Sequence, residues 1–294
     1  IVRRKTQTAL ILIGLMLATV ISTAALGMGD TIDRSFTAGI YDTLGEVDEM
    51  VVSSPQFEAN VNNALADRFR ESELETIEQG VAGNEHVSGF MPGLIEFVPA
   101  ISPETRLSAP QVFLTGIDPA RVGQFGGLTT LDGEPIDLNA LPPDGIVMSE
   151  STAEELDAAA GDQVIIFYGA RPITFTVAAV APNSPLTGVL NTNANPGLVM
   201  PLERLQALTN QPGQISLIMV SNTGDARAGL DHTDEVLDAL EPILAGRHLG
   251  VDPLKQTFVD LSELASSAMT GIFLVLGLFS IAVGVLLIVM IFSM

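Results

Sequence analysis

Two long apolar stretches lie at the two ends of the chain. No charged side chain occurs from Thr6 to Gly29, over 24 positions, or from Leu264 to Met294, over 31 positions. A helix needs about 20 apolar residues to cross a bilayer. We therefore expect a basic flank and first transmembrane helix at residues 1–29 and a second transmembrane helix at residues 264–294.

The first apolar stretch has a second interpretation. Arg3 to Lys5 followed by Ala9 to Ile21 resembles the basic and apolar regions of a signal peptide, with small residues near Thr23 to Ala25 as a cleavage site. The uncharged run continues to Gly29, which favours a retained helix. Since the chain begins at Ile1 and ends at Met294 within an apolar run, we also expect the natural protein to continue at both ends.

Helical periodicity appears in several segments between the two apolar stretches. Apolar residues repeat every four positions in residues 30–44, which predicts a stalk that continues the first transmembrane helix. The same spacing at Phe57, Val61, Leu65 and Phe69 predicts an amphipathic helix that ends at Gly80. Further helices are predicted by Ser151 and Glu154 at capping-box spacing, with an end at Gly161, and by apolar stripes in residues 201–208 and 236–244.

Strand patterns alternate with these helices. The clearest is a hairpin, in which residues 164–168 and 173–180 are joined by a short turn and the second strand alternates apolar residues with Thr174 and Thr176. The other segments rich in β-branched and aromatic residues are 50–52, 94–101, 112–117, 146–148 and 215–220. Residues 251–259 fit either a last strand or an extended linker.

This order of elements predicts an α+β extracytoplasmic domain with mixed sheets and amphipathic helices, flanked by two transmembrane helices with stalk extensions. We divide it into two subdomains. Residues 30–117 form the first stalk and the first part of one subdomain, residues 118–212 an inserted β-rich subdomain, and residues 213–263 the second part of the first subdomain with the return stalk. The loop-rich passage after Asp118 marks the first boundary.

The charge distribution gives the orientation. All 35 acidic residues lie within residues 30–263, and this segment is too acidic to bind nucleic acid or anionic lipid. Arg3, Arg4 and Lys5 precede the first apolar stretch. The positive-inside rule therefore places the N-terminus in the cytoplasm and residues 30–263 outside the cell membrane.

Familiar catalytic patterns are absent from the sequence. Neither Lys5 nor Lys255 follows a glycine, so there is no Walker A loop, and no serine lies in a Gly-x-Ser-x-Gly elbow. His232, Asp234 and Glu235 are close in sequence but point in different directions on a helix, which favours a solvated helix start over a metal site. We expect no enzymatic activity, no cofactor and no metal.

Three glycines of the second apolar stretch are candidates for helix packing. Gly271, Gly277 and Gly284 would allow a neighbouring helix to approach closely, and the last two lie seven residues apart on nearly the same face. Glycine is also generally common in membrane helices, so an interface and an ordinary composition both explain them.

Several short segments, in consistent order, resemble the permease subunits of ABC transporters of the FtsX and MacB/LolC type. They are Ala25–Asp30 (Ala-Leu-Gly-Met-Gly-Asp), Leu114–Pro119 (Leu-Thr-Gly-Ile-Asp-Pro), Ala159–Val164 (Ala-Ala-Gly-Asp-Gln-Val), Phe175–Val180, and the second apolar stretch between Asp260–Glu263 and Ile291–Met294. Ala178-Ala179-Val180 departs from the family, whose corresponding strand usually ends with a glycine.

The resemblance implies a MacB-like periplasmic core domain with the first two of four transmembrane helices. It also implies a cytoplasmic ABC ATPase as a separate subunit, a homodimer or heterodimer of permeases, and a possible extracytoplasmic accessory protein. In that family the external domain moves in response to ATP, for efflux, for lipoprotein or lipid handling, or to activate a partner.

A two-span membrane sensor with an extracytoplasmic ligand-binding domain has the same layout and is the alternative. Sequence beyond Met294 separates the two hypotheses. A permease continues with two more apolar stretches of about 20 residues, whereas a sensor continues with a long soluble helical module.

Overall fold

The computed structural model describes residues 34–53, 65–189 and 196–293, together with residues 16, 19, 20, 23 and 27. The chain divides into two compact units. One comprises Ile1–Gly39 and Phe258–Met294, and the other comprises Ile40–Thr257.

The described residues form eleven strands, four short 3-10 helices and six α-helical segments of seven residues or more. The helices are α1 (residues 34–44), α2 (Ser72–Gly80), α3 (Glu150–Leu156), α4 (Leu202–Thr209), α5 (Thr233–Leu244) and α6 (Leu254–Ser293). The strands are β1 (Glu49–Val52), β2 (Phe69–Arg70), β3 (Val87–Ile101), β4 (Ser108–Ile117), β5 (Gly145–Ser149), β6 (Gln163–Tyr168), β7 (Arg171–Ala181), β8 (Gly197–Pro201), β9 (Gln214–Ile215), β10 (Leu217–Asn222) and β11 (Gly250–Asp252).

Nine of these strands form one mixed sheet, in the order β11-β1-β10-β3-β4-β8-β5-β7-β6. The pairs β4–β8 and β5–β7 are parallel, and the other neighbours are antiparallel. β2 and β9 form a separate two-stranded sheet. The predicted α+β class with mixed sheets is confirmed, and the predicted hairpin is β6 with β7.

The long strand β3 closes part of the sheet into a ring. Near its end, Ala100 lies opposite Ile166 of β6, and Ile101 lies opposite Ile165. The strands β3, β4, β8, β5, β7 and β6 therefore form a continuous cycle of hydrogen-bonded neighbours. Earlier along its length β3 pairs with β10, so one strand belongs to both the ring and the open part of the sheet.

A single apolar cluster fills the space between the sheet and its helices. It includes side chains from the ring, such as Val98, Ile146 and Phe175, and side chains from outside it, such as Ile218 and Val236. Each of these is at most 4% exposed. Burying such side chains is the main favourable contribution to folding.

The predicted helix across residues 57–80 is wrong in its middle. Phe69 lies in β2, opposite Ile215 of β9, and the helix that ends at Gly80 begins only at Ser72. The Arg68 guanidinium donates to the carbonyl oxygens of Leu65 and Ala66, which a continuing helix would use for its own amides. Phe57 and Val61 lie outside the described residues.

The capping residue of α3 was also predicted incorrectly. Ser149, not Ser151, is the N-cap, because it has extended backbone angles and its hydroxyl accepts a hydrogen bond from the Thr152 amide at 3.3 Å. The helix ends at Leu156, before Asp157 in the left-handed conformation, rather than at Gly161.

Both interpretations of residues 251–259 are wrong over most of this range. β11 ends at Asp252, and the helix α6 begins at Leu254. The segment predicted as a strand or an extended linker is therefore helical from the second residue after β11.

One described helix is long and apolar enough to cross a membrane. The candidate is Leu254–Leu286 within α6, which contains an 18-residue stretch with a mean hydropathy of 2.4. Large apolar side chains of α6 are exposed, among them Leu264, Ile272 and Phe279. The predicted first transmembrane helix lies largely outside the described residues, and the predicted subdomain boundaries at residues 118 and 212 stay predictions.

The cap assignment gives a stability test. We expect Ser149→Ala to lower the free energy of unfolding by about 1–2 kcal/mol, because the Thr152 amide and the Gly197 amide both lose an acceptor. Ser151→Ala is the matched control and should cost less. Denaturant unfolding of the purified chain measures both variants, and an equal loss would contradict the assignment.

Candidate functional site: a buried charge cluster at Lys255

A lysine is completely buried in the first turn of α6. The side chains of Lys255 and Asp48 are 0% and 1% exposed, and Lys255 Nζ lies 2.6 Å from Asp48 Oδ1. Moving an ammonium group out of water costs several kcal/mol, so this arrangement needs a specific set of partners.

Three acceptors surround the Lys255 ammonium. Besides Asp48, it donates to the carbonyl oxygens of Gly45 at 2.8 Å and Ala226 at 2.9 Å. An ammonium group has three donors, and all three are used. The Lys255 backbone amide also donates to the Asp48 carbonyl oxygen at 3.0 Å, so main chain and side chain join the same two residues.

The local sequence explains how these acceptors reach the lysine. Gly45 ends α1 with a positive φ of 54°, a conformation that glycine adopts at little cost, and its amide donates to the Tyr41 carbonyl oxygen. The chain then passes through Asp48 into β1. The Gly45 carbonyl is thereby free to accept from Lys255.

The second carboxylate oxygen of Asp48 faces a closely packed loop. Asp48 Oδ2 accepts a hydrogen bond from the Asn222 amide at 2.8 Å. A Cβ atom on Gly229 would lie 2.7 Å from the same oxygen, which is too close for a carbon atom. Position 229 therefore requires glycine if Asp48 keeps its place.

A second buried carboxylate follows directly. Glu49 is 0% exposed, and its Oε1 accepts a hydrogen bond from Asn222 Nδ2 at 2.7 Å. Asn222 Nδ2 also donates to the Gly229 carbonyl oxygen at 3.0 Å. Three buried atoms of this group make no hydrogen bond: Glu49 Oε2, Asn222 Oδ1 and Thr233 Oγ1.

Burial dominates the acid–base behaviour of the cluster. It raises the pKa of Glu49 from 4.5 to about 8, against the opposing effect of the Asn222 hydrogen bond. It also raises the pKa of Asp48, which the Lys255 charge opposes. The pKa of Glu46 is raised mainly by burial, with Lys255 again opposing.

Aromatic contacts flank the cluster. The Arg227 guanidinium lies 5.1 Å from the centre of the Tyr41 ring, at the end of α1. The rings of His86 and His232 are 4.6 Å apart. The loop of residues 223–232 therefore contacts the end of α1 through Arg227 and the residue before β3 through His232.

The cluster joins chain segments that are far apart in sequence. The structure identifies no substrate for it. Lys255 connects the end of α1 and the start of β1 to the start of α6 and to the 223–232 loop. Hydrogen bonds between charged groups in a low-dielectric site are strong and geometrically demanding. These four segments are therefore held together by one buried group.

The three predicted packing glycines lie in α6, away from this cluster. Gly277 is buried and Gly271 is exposed. A Cβ atom on Gly271 or Gly284 would meet no atom within 4 Å. Their role in packing against another helix stays a prediction.

The three residues considered as possible metal ligands lie at the start of α5. His232 is its N-cap, and Asp234 and Glu235 lie in its first turn, where acidic side chains stabilise a helix. Within residues 34–53, 65–189 and 196–293, no group of three or more metal-ligating side chains occurs. The expectation of no metal stays a prediction.

Sequence reasoning missed the buried cluster. Lys255 was considered only as a possible Walker A residue, and Asp48 and Glu49 were not considered. One signal was present: Lys255 is the single lysine among residues 30–263, a segment rich in carboxylates. A lone cation next to an apolar stretch is a reasonable candidate for a buried ion pair.

Comparison with known proteins identifies the family. Residues 8–240 match the family described as the MacB-like periplasmic core domain. The chain belongs to this family. The resemblance to ABC transporter permeases of the FtsX and MacB type is thereby confirmed. No curated protein matches the chain.

Two solved structures are similar to this MacB-like domain. The periplasmic region of MacB from Actinobacillus actinomycetemcomitans has 14% sequence identity and a TM-score of 0.48, over 73% of this chain and 92% of that one. The extracellular domain of the noncanonic ABC-type transporter YknZ from Gram-positive bacteria has 16% identity and a TM-score of 0.43, over 70% of this chain and 99% of that one.

The buried ion pair of this MacB-like domain gives a second test. Lys255→Met leaves the Asp48 carboxylate buried without its cation, and we expect a loss of about 3–5 kcal/mol in the free energy of unfolding. The double variant Asp48→Asn with Lys255→Met removes both charges and should recover much of that loss. Chemical unfolding of the purified chain gives the values.

Arg247→Met is the control, because Arg247 pairs with Glu73 at 2.6 Å but is 38% exposed. Exposed ion pairs contribute about 0–1 kcal/mol. Equal losses for Lys255→Met and Arg247→Met would contradict the importance of burial.

Proposed function

We propose that this chain is the transmembrane permease subunit of an ABC transporter of the FtsX/MacB type, and that it transmits a conformational change from a cytoplasmic ATPase to its extracytoplasmic domain. The family assignment supports the class of protein. The buried contact between Lys255, Asp48 and Gly45 supports the transmission.

The mechanical argument depends on where these three residues lie. Gly45 and Asp48 follow α1, and Lys255 is in the first turn of α6. The two helical segments that lead towards the predicted transmembrane helices therefore enter the domain at one ion pair. If α1 and α6 are displaced, Asp48 and Lys255 must move together or lose charge-assisted hydrogen bonds.

The sheet connects the ion pair to the ring of strands. β1 lies between β11 and β10, with Val51 opposite both Val251 and Ile218. β10 pairs in turn with β3, which enters the ring. Rigid, packed strands pass displacements on with little loss. In this proposal the ring of strands moves when the ion pair moves.

The remaining parts of the proposal concern the orientation of the chain in the membrane and its partner proteins. The N-terminus lies in the cytoplasm, residues 30–263 lie outside the cell membrane, and both apolar stretches are transmembrane helices. ATP hydrolysis belongs to a separate subunit, and this chain carries no catalytic residue. Two permeases form a homodimer or heterodimer. An extracytoplasmic accessory protein docks on the external domain. The task of the assembly is efflux, the handling of lipoproteins or lipids, or the activation of that accessory protein.

A labelling experiment tests transmission. The sequence contains no cysteine, so Leu131→Cys, at a 52% exposed position, gives one site for an environment-sensitive fluorophore. The full-length permease is reconstituted with its ATPase in lipid discs. We expect a non-hydrolysable ATP analogue to change the fluorescence, and Asp48→Asn with Lys255→Met to reduce that change about fivefold or more.

The reconstitution contains its own control and its own refutation. Arg247→Met, at an exposed ion pair, should leave the response to the ATP analogue intact. An undiminished response in the double variant would refute transmission through the ion pair. The absence of any associating ATPase, together with a long soluble module beyond Met294, would refute the permease proposal and support a sensor.

A further inference from the structure

Glu49 is a buried carboxyl group that lacks a cation. The Lys255 ammonium uses its three donors on Asp48, Gly45 and Ala226. None of the ion pairs among the described residues includes Glu49. An ionised carboxylate at 0% exposure without a cation is strongly disfavoured.

The hydrogen bonds around Glu49 fit a protonated group. Asn222 Nδ2 donates to Glu49 Oε1, while Glu49 Oε2 and Asn222 Oδ1 are both buried without a partner. Two acceptors cannot satisfy each other. A proton on Oε2 converts it into a donor, the kind of group that the unpaired Asn222 Oδ1 lacks.

Thr233, in the first turn of α5, lies beside the same carboxyl group. Its Oγ1 is buried without a hydrogen-bond partner, and its hydroxyl lowers the pKa of Glu49 against the larger effect of burial. Glu49 therefore lies between the end of β10, at Asn222, and the first turn of α5, at Thr233.

We propose that Glu49 is a proton-binding site, occupied when the cluster is closed, and that loss of this proton loosens the contacts of β1 with Asn222 and Thr233. Ionised Glu49 would place a second carboxylate beside Asp48, where the Lys255 ammonium is already paired with Asp48. The resulting repulsion weakens the hydrogen bonds that hold Lys255. Its effect on transmission between α1 and α6 rests on the proposed function, whereas the proton site itself does not.

Other charged groups surround Glu49 and Asp48 and must be considered in any titration. They come from every neighbouring element, namely Asp48, Glu46, Asp225, His232, Asp252 and Lys255. Burial raises the pKa of Glu49 to about 8. Replacing it alone therefore isolates its contribution.

The sign of the pH dependence follows from the two states. In the unfolded chain Glu49 ionises near its ordinary value of 4.5, and in the folded chain near 8. Between these values the folded state binds more protons, so stability decreases as the pH rises from about 4.5 to about 8. Above about pH 8 the loss of stability caused by the ionisation of Glu49 is complete.

Thermal unfolding of the full-length permease in detergent between pH 5 and pH 9 tests the site. Glu49→Gln mimics the protonated acid, since its amide can donate to Asn222 Oδ1 or Thr233 Oγ1. We expect the wild type to lose melting temperature progressively from pH 5 to about pH 8, and Glu49→Gln to show a smaller loss and a higher melting temperature at pH 9. Glu203→Gln, at an exposed carboxylate, should behave like the wild type.

Infrared difference spectroscopy of the wild type supplies a readout that does not depend on any variant folding. The carbonyl stretch of a protonated carboxylic acid should persist at pH 7 and disappear with a midpoint near 8. A midpoint below pH 5, or the same pH dependence of melting temperature in Glu49→Gln and wild type, would overturn the proposal. Neither measurement uses the ATPase or nucleotide, so their failure is distinct from failure of the proposed function.

Discussion

The burial of the Lys255 ammonium is the constraint on which the rest of this junction depends. An ion pair shielded from water is tolerated only when nearly every donor and acceptor is satisfied. Here that condition requires the carbonyl of Gly45, exposed by the end of α1, and the carbonyl of Ala226, brought in by the 223–232 loop. It also requires glycine at position 229, since a Cβ atom there would collide with Asp48 Oδ2. This charge stays paired in only one mutual arrangement of four segments. They are the end of α1, the strand β1, the 223–232 loop and the start of α6.

The cluster differs in kind from the contacts in the rest of the fold. The apolar side chains of the MacB-like sheet are held by non-directional contacts. Hydrogen bonds between charged groups in a low-dielectric site depend on distance and angle. Asp48 precedes β1 and Glu49 begins it, whereas the other residues of this strand are apolar, so the directional contacts are concentrated at its start.

Local patterns predicted the fold better than they predicted the site. The hairpin of β6 and β7 was visible because apolar and polar residues alternate along one strand and a short turn joins the two. Phe69 has a helical spacing from Leu65, yet it lies in a strand because Arg68 takes the carbonyl groups that the helix needs. Asp48 and Lys255 are separated by 207 positions, and no local periodicity relates them. The position of Ser149 as a cap depended on one backbone conformation that the sequence does not reveal.

The closure of β3 onto β6 has a consequence for the behaviour of the domain in a crowded environment. Strands at the open end of a sheet present unpaired backbone groups that can recruit other chains and start aggregation. Among the described residues the ring has no terminal strand, and the nine-stranded sheet ends openly at β11 alone. That strand has three residues and carries the charged Asp252. The pairing of β3 with β6 therefore removes part of one edge at which such association could begin.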